Sequence, residues 1–213
     1  MDPQGMLVAA SHDLQRLTRF DPVTGARTDV AGGSMYLGRP FNQVNDVVVR
    51  SDGNMYFSDP TYQLAGRPGQ DAMAFYRLSP PPASVATRIV VAMNANGVAL
   101  SPDGRWLYLA TTGGPPLQRF AVGDDGSVAL TGTTWNFPQS DGMAVDCAGN
   151  LYLSDTNQVR VVSPDGQSIG SITGLTSGFV TNSAFGGDDR KTLYITTSVA
   201  VYRIGLNVPG FPN

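Results

Sequence analysis

Residues 45–60, Asn45-Asp46-Val47-Val48-Val49-Arg50-Ser51-Asp52-Gly53-Asn54-Met55-Tyr56-Phe57-Ser58-Asp59-Pro60, decide the fold. Val47 to Val49 are β-branched and apolar, which suits a buried strand. Ser51-Asp52-Gly53-Asn54 is turn chemistry: Asp and Asn bond their own backbone and Gly accepts a positive φ. Met55-Tyr56-Phe57 reads as the return strand. The unit opens on a carboxamide, Asn45, and closes on a carboxylate, Asp59. It returns three times, opened by Asn96 (NGVALSPDGRWLYLAT), Asp141 (DGMAVDCAGNLYLSD) and Asn182 (NSAFGGDDRKTLYITT), at spacings of 51, 45 and 41 residues. Asp2 to Val8 is a partial copy, matching only the turn and the return strand. A strand-and-turn unit recurring at this length predicts an all-β protein, a β-propeller with one blade per repeat.

The rest of the chain agrees with a single domain over residues 1–213. Its 25 glycines and 15 prolines among 213 residues suit a turn-rich β protein, and no stretch has the periodicity of an amphipathic helix. Gly32 to Val44 and Thr61 to Ala72 read as loops. Charged residues make up 15% of the chain and the formal net charge is −3. No Lys/Arg cluster points to nucleic acid, and no apolar run reaches the length of a membrane span. Met1-Asp2-Pro3-Gln4 is polar turn sequence rather than a signal peptide, which goes with a cytoplasmic location, while a longer parent chain could be secreted or periplasmic; the location stays open. The lone Cys147 excludes an intramolecular disulfide and a cysteine zinc cage, and is expected to be a small packing residue. Trp106 and Trp135 are expected in the core or between blades.

In a propeller the first strand of each blade lines the central channel, so equivalent positions converge on a ring at one mouth. The repeat alignment puts Asn45, Asn96, Asp141 and Asn182 on that ring. All four carry oxygen donors, which hard divalent cations prefer, and a carboxylate beside a cation can orient and deprotonate water. Asn and Asp also begin strands simply because they cap turns; only the shared register raises a functional role. His12 follows the return strand of the partial copy and is placed near the same mouth. Asp59 and Asp155 share the end of a return strand, where a bond to a neighbouring turn is expected. Motifs of other chemistries are absent: no GxSxG, P-loop, HExxH or CxxC pair occurs.

These repeats, in this order, resemble the senescence marker protein / gluconolactonase / luciferin-regenerating-enzyme family. The resemblance covers essentially the whole chain. It implies a six-bladed propeller, similar to that of diisopropyl fluorophosphatase, with a divalent cation in its channel and hydrolysis of sugar lactones. Ca²⁺ is the cation expected first, with Zn²⁺, Mg²⁺ or Mn²⁺ as alternatives. By the resemblance Asn96 and Asp141 are metal ligands, Asp141 is also the catalytic base, and Asn45 binds metal or substrate. His12 matches a histidine of bacterial gluconolactonases, and Asn182 stands with His12 and Asn45 as a substrate-binding candidate. The family's further ligand, a Glu in a Glu-Gly-Pro-type motif of the first blade, has no counterpart here. The expectation is therefore about four blades plus a partial one, weak cation binding and little lactone turnover by residues 1–213 alone. Two alternatives stay open: a non-catalytic propeller that binds a partner, and a phosphotriester hydrolase on the same scaffold.

Overall fold

The computed structural model describes residues 1–31, 36–112, 117–137 and 140–211; part of the loop expected at 32–44 lies outside them. Val47 to Val49 form a strand that pairs antiparallel with Met55–Asp59, Val47 opposite Phe57. The turn between them is held by Asp52, whose carboxylate accepts the backbone N–H of Asn54 (3.0 Å). Two further strands complete the sheet, so that strands adjacent in sequence are adjacent in space.

The described residues form five such antiparallel sheets and no helix. The first holds β1 (Leu7–Ser11), β2 (Arg16–Phe20) and β3 (Arg27–Ala31). The second holds β4 (Val47–Val49), β5 (Met55–Asp59), β6 (Ala74–Leu78) and β7 (Ala86–Val91). The third holds β8 (Ala95–Leu100), β9 (Trp106–Thr111), β10 (Leu117–Val122) and β11 (Val128–Trp135). The fourth holds β12 (Met143–Val145), β13 (Leu151–Asp155), β14 (Gln158–Val162) and β15 (Ser168–Ile172). The fifth holds β16 (Val180–Gly186), β17 (Thr192–Thr197) and β18 (Val201–Gly205).

The core lies between successive sheets, because the strands are apolar on both faces. Met55 and Phe57 pack toward the first sheet with Leu17, Phe41 and Tyr76. Tyr56, between them in sequence, packs toward the third with Val98, Leu107 and Leu109. The same alternation sends Leu151 and Leu153 toward the third sheet and Tyr152 toward the fifth. Each such fully buried side chain contributes roughly 1.5–3 kcal/mol. The Tyr56 hydroxyl is satisfied within this core, donating to the Gly126 carbonyl (2.7 Å).

Over the described residues the architecture is an all-β propeller with five blades. Residues 1–31 build a three-stranded sheet where the expectation is a partial blade, and the repeat opened near Asn182 also carries three strands. Cys147 is exposed in the turn after β12, where its N–H donates to the Pro209 carbonyl, so it is not a packing residue. Trp106 is partly exposed, with the Arg119 guanidinium 4.3 Å above its ring, while Trp135 packs against Tyr108. No helix among the described residues is long and apolar enough to cross a membrane.

Candidate active site

The cross-strand pairs Val47–Phe57, Val98–Leu109, Met143–Leu153 and Ser183–Ile195 superimpose the four inner hairpins. Two positions before the first member of each pair stand Asn45, Asn96, Asp141 and Thr181. One position before it stand Asp46, Gly97, Gly142 and Asn182. Asn182 is thus one residue out of step with the other three openers. The hairpin of β16 and β17 pairs as far as Gly186–Thr192, and β16 is bulged between Val180 and Asn182. A one-residue slip turns a strand's side chains to the opposite face. Asn182 consequently leaves the ring of openers and lines the channel below, beside Asp46.

Asn45, Asn96 and Asp141 do line one cavity, of about 720 Å³, at the channel mouth. Asn45 and Asp141 are anchored alike: each donates its backbone N–H to the serine across the hairpin, Ser58 or Ser154 (3.0 Å in both). The Asn96 carboxamide is fixed by donating to the Thr112 hydroxyl (2.8 Å). Among the described residues Asp141 is the only charged side chain in the lining. Burial pushes its carboxyl up to about 6, and a hydrogen bond from Asn96 works in the opposite direction. It therefore remains a carboxylate at neutral pH while being close enough to titration to accept a proton. Tyr62, Phe179 and Val180 supply the apolar part of the wall.

The neighbouring glycines allow this assembly. A Cβ on Gly97 would lie 2.4 Å from the Asp141 carbonyl oxygen, and one on Gly142 would lie 2.2 Å from the Asn182 carboxamide. Without side chains, the Gly97 N–H reaches the Asp141 carbonyl (3.1 Å) and the Gly142 N–H reaches the Thr181 carbonyl (2.8 Å). These bonds tie the third sheet to the fourth and the fourth to the fifth at the level of the cavity.

Asp46 was not singled out by the repeat pattern. It lines a narrower cavity of about 150 Å³ in the channel with Asn182, Val98 and Met143. Its carboxylate accepts the N–H of Val98 (2.8 Å) from the third sheet and of Val47 (2.9 Å) from its own strand. Burial, and secondarily the charge of Asp141, pushes its carboxyl up to about 6. The only sequence signal was a second acid directly after an opener.

His12 lies in the turn after β1, 4.0 Å from the Asp13 carboxylate, and does not line the cavity. Asp59 and Asp155 act in structure. Asp59 accepts the N–H groups of Asn42 and Gln43 (2.9 Å each), and Asp155 accepts from Gln158 and Arg160. Two cavity residues absent from the sequence expectations are Ser140 and Ser154, buried on either side of Asp141.

Among the described residues no group of three His, Cys, Asp or Glu side chains is gathered as a metal cage. Any cation at this mouth would rest on carboxamide oxygens and one carboxylate, a donor set suited to a hard ion such as Ca²⁺ rather than a soft one.

Comparison with known proteins matches residues 1–199 to the family described as the SMP-30/Gluconolactonase/LRE-like region. A gluconolactonase of Zymomonas mobilis is 29% identical over 95% of this chain and 60% of its own length. The chain thus spans less than two thirds of that relative. A 6-deoxy-6-sulfogluconolactonase of Pseudomonas putida is 37% identical over 50% of this chain and 38% of its own length. The structure of a gluconolactonase from Xanthomonas campestris superimposes with a TM-score of 0.80 at 30% identity, over 97% of this chain and 69% of that one. The repeats, the propeller and the mouth built on Asn45, Asn96 and Asp141 accord with that match: the chain belongs to the SMP-30/gluconolactonase/LRE-like family.

Proposed function

We propose that this protein hydrolyses a lactone of the sugar-lactone class in the cavity at the channel mouth. The observation that carries the reading is a single half-buried carboxylate, Asp141, facing a cavity whose other polar groups are neutral, in a chain of the gluconolactonase family. Asp141 takes a proton from water as the water oxygen bonds to the lactone carbonyl carbon. The ring C–O bond then breaks, and the proton passes to the leaving alkoxide to give the open hydroxy acid. Asn96, held by Thr112, and Asn45 orient the carbonyl and ring oxygens. Asn45, Asn96 and Asp141 would also hold a divalent cation, Ca²⁺ first among the candidates, and when bound it supplies a positive charge that stabilises the oxyanion. Tyr62 and Phe179 flank the cavity and limit its water.

The test is opening of a sugar δ-lactone followed by a pH indicator, against the spontaneous rate, with chelator and with Ca²⁺, Mg²⁺, Mn²⁺ or Zn²⁺ restored. The expected result is slow turnover that chelation removes and a cation restores, slow because only one of the three residues that would hold the cation is anionic. Absence of turnover on every δ- and γ-lactone tried, with each cation present, would overturn the reading.

A further inference from the structure

Among the described residues the hydroxyls of Ser140 and Ser154 belong to no structural network. Both residues are only 1% exposed, both line the 720 Å³ cavity, and neither Oγ has a hydrogen-bond partner among the described residues. A buried hydroxyl left unpaired destabilises a fold, so native structures rarely keep one without another use. Both flank Asp141. Ser140 precedes it in the chain, and the Ser154 carbonyl accepts the Asp141 N–H across the hairpin.

The repeats supply an internal control. The position of Ser154 is occupied by Ser58 in the second sheet, Ala110 in the third and Thr196 in the fifth, by cross-strand register. The Ser58 hydroxyl accepts the Asp46 N–H (3.0 Å). The Thr196 hydroxyl meets that of Thr181 (2.9 Å). In the fourth sheet the N–H that would occupy Ser154, that of Gly142, is drawn instead to the Thr181 carbonyl (2.8 Å). The hydroxyl is thereby released in the one blade that carries the cavity's carboxylate.

We infer that Ser154, with Ser140, holds the attacking water against Asp141. A water molecule between a carboxylate and two hydroxyls donates one proton to Asp141 and uses its second proton and a lone pair on the serines. The other lone pair is then free to bond to the carbonyl carbon. The proton taken by Asp141 returns to the ring alkoxide, so no further reactant is needed. The inference rests on the proposed lactone hydrolysis and adds to it the groups that position the nucleophile.

The experiment compares Ser154→Ala, Ser140→Ala, the double variant and Ser154→Thr with wild type in kcat, KM and thermal midpoint. Alanine and threonine already occupy this register at positions 110 and 196, so both replacements suit the strand. Loss of one hydrogen bond to the reacting water predicts about a ten-fold fall in kcat for each alanine variant, with KM unchanged. Removing an unpaired buried hydroxyl predicts a thermal midpoint equal to or above that of wild type. Ser154→Thr, which keeps the hydroxyl, should retain most of the rate. Wild-type turnover accompanied by unchanged kcat in the double variant would overturn the assignment. So would a raised KM at constant kcat, which marks contact with a substrate hydroxyl, or a midpoint that falls in step with the rate. If wild type itself opens no lactone, the parent reading fails, and the assignment with it.

Discussion

Gly97 shows how a single missing methyl shapes the mouth. Asn-Gly and Asp-Gly after the openers were legible as motifs, but sequence alone reads such pairs as turn chemistry. Their use here is different: the inner strands come so close that the Gly97 N–H bonds the Asp141 carbonyl of the next sheet. Gly97→Ala would set its Cβ 2.4 Å from that oxygen and 3.2 Å from the Gly142 Cα, both backbone atoms that cannot rotate aside. The strand bearing Asp141 must move. Gly97→Ala is expected to cost about 1–3 kcal/mol in urea unfolding and to lower lactone turnover by more than ten-fold, since a displacement near 1 Å can cost roughly a hundred-fold. Wild-type stability and rate in this variant would show that the close approach is not required. Ser154 belongs to the same scale. The recurring Ser-Asp at 58–59 and 154–155 was visible in the repeats, yet the difference between a bonded and a free hydroxyl depends on where a glycine N–H from another strand goes.

At the scale of the element, the hairpin was the legible unit. Its apolar runs and its turns, at Asp52-Gly53, Asp103-Gly104 and Asp146 to Gly149, marked β4 with β5, β8 with β9 and β12 with β13 as they stand. The fourth copy was misaligned by one residue, because register depends on how far pairing extends past the turn and the letters of Asn182-Ser183-Ala184 fit either phase. The closing Asp was also legible, and Asp59 does tie a neighbouring segment by accepting the N–H groups of Asn42 and Gln43. It is fully buried, and desolvation pushes its carboxyl up to about 7 from an ordinary 3.8. Between those two values the folded protein holds a proton that the unfolded chain has lost, so Asp59 makes stability fall as pH rises from about 4 to 7 and level off above. Asp59→Ala leaves two buried N–H groups unpaired and is expected to cost about 2–4 kcal/mol at the acid end of that range, with a smaller cost near pH 7.5. Urea unfolding of both proteins across the range checks this; a cost that grows with pH would contradict it.

At the scale of the molecule, the repeat spacing was enough to predict blades, the absence of helix and a shared mouth. Outer strands such as β3 and β15 are short, exposed and free of the repeat's signature, so the repeat alone does not count the strands of a blade. Nor could spacing alone bring His12 to the site: the turn after β1 sits in a sheet whose strands do not line the cavity. What the propeller does achieve is convergence. Asn45, Asn96 and Asp141, 51 and 45 residues apart, stand on three sheets around one cavity with a single carboxylate.

The central claim, that this carboxylate is the base for lactone opening, is tested most directly by the turnover number of Asp141→Asn on a sugar δ-lactone at neutral pH, with Ca²⁺ present. The replacement keeps the shape and removes the proton acceptor. A kcat lowered by about a hundred-fold or more, at an unchanged urea midpoint, is the predicted result; a kcat within a few-fold of wild type would contradict it.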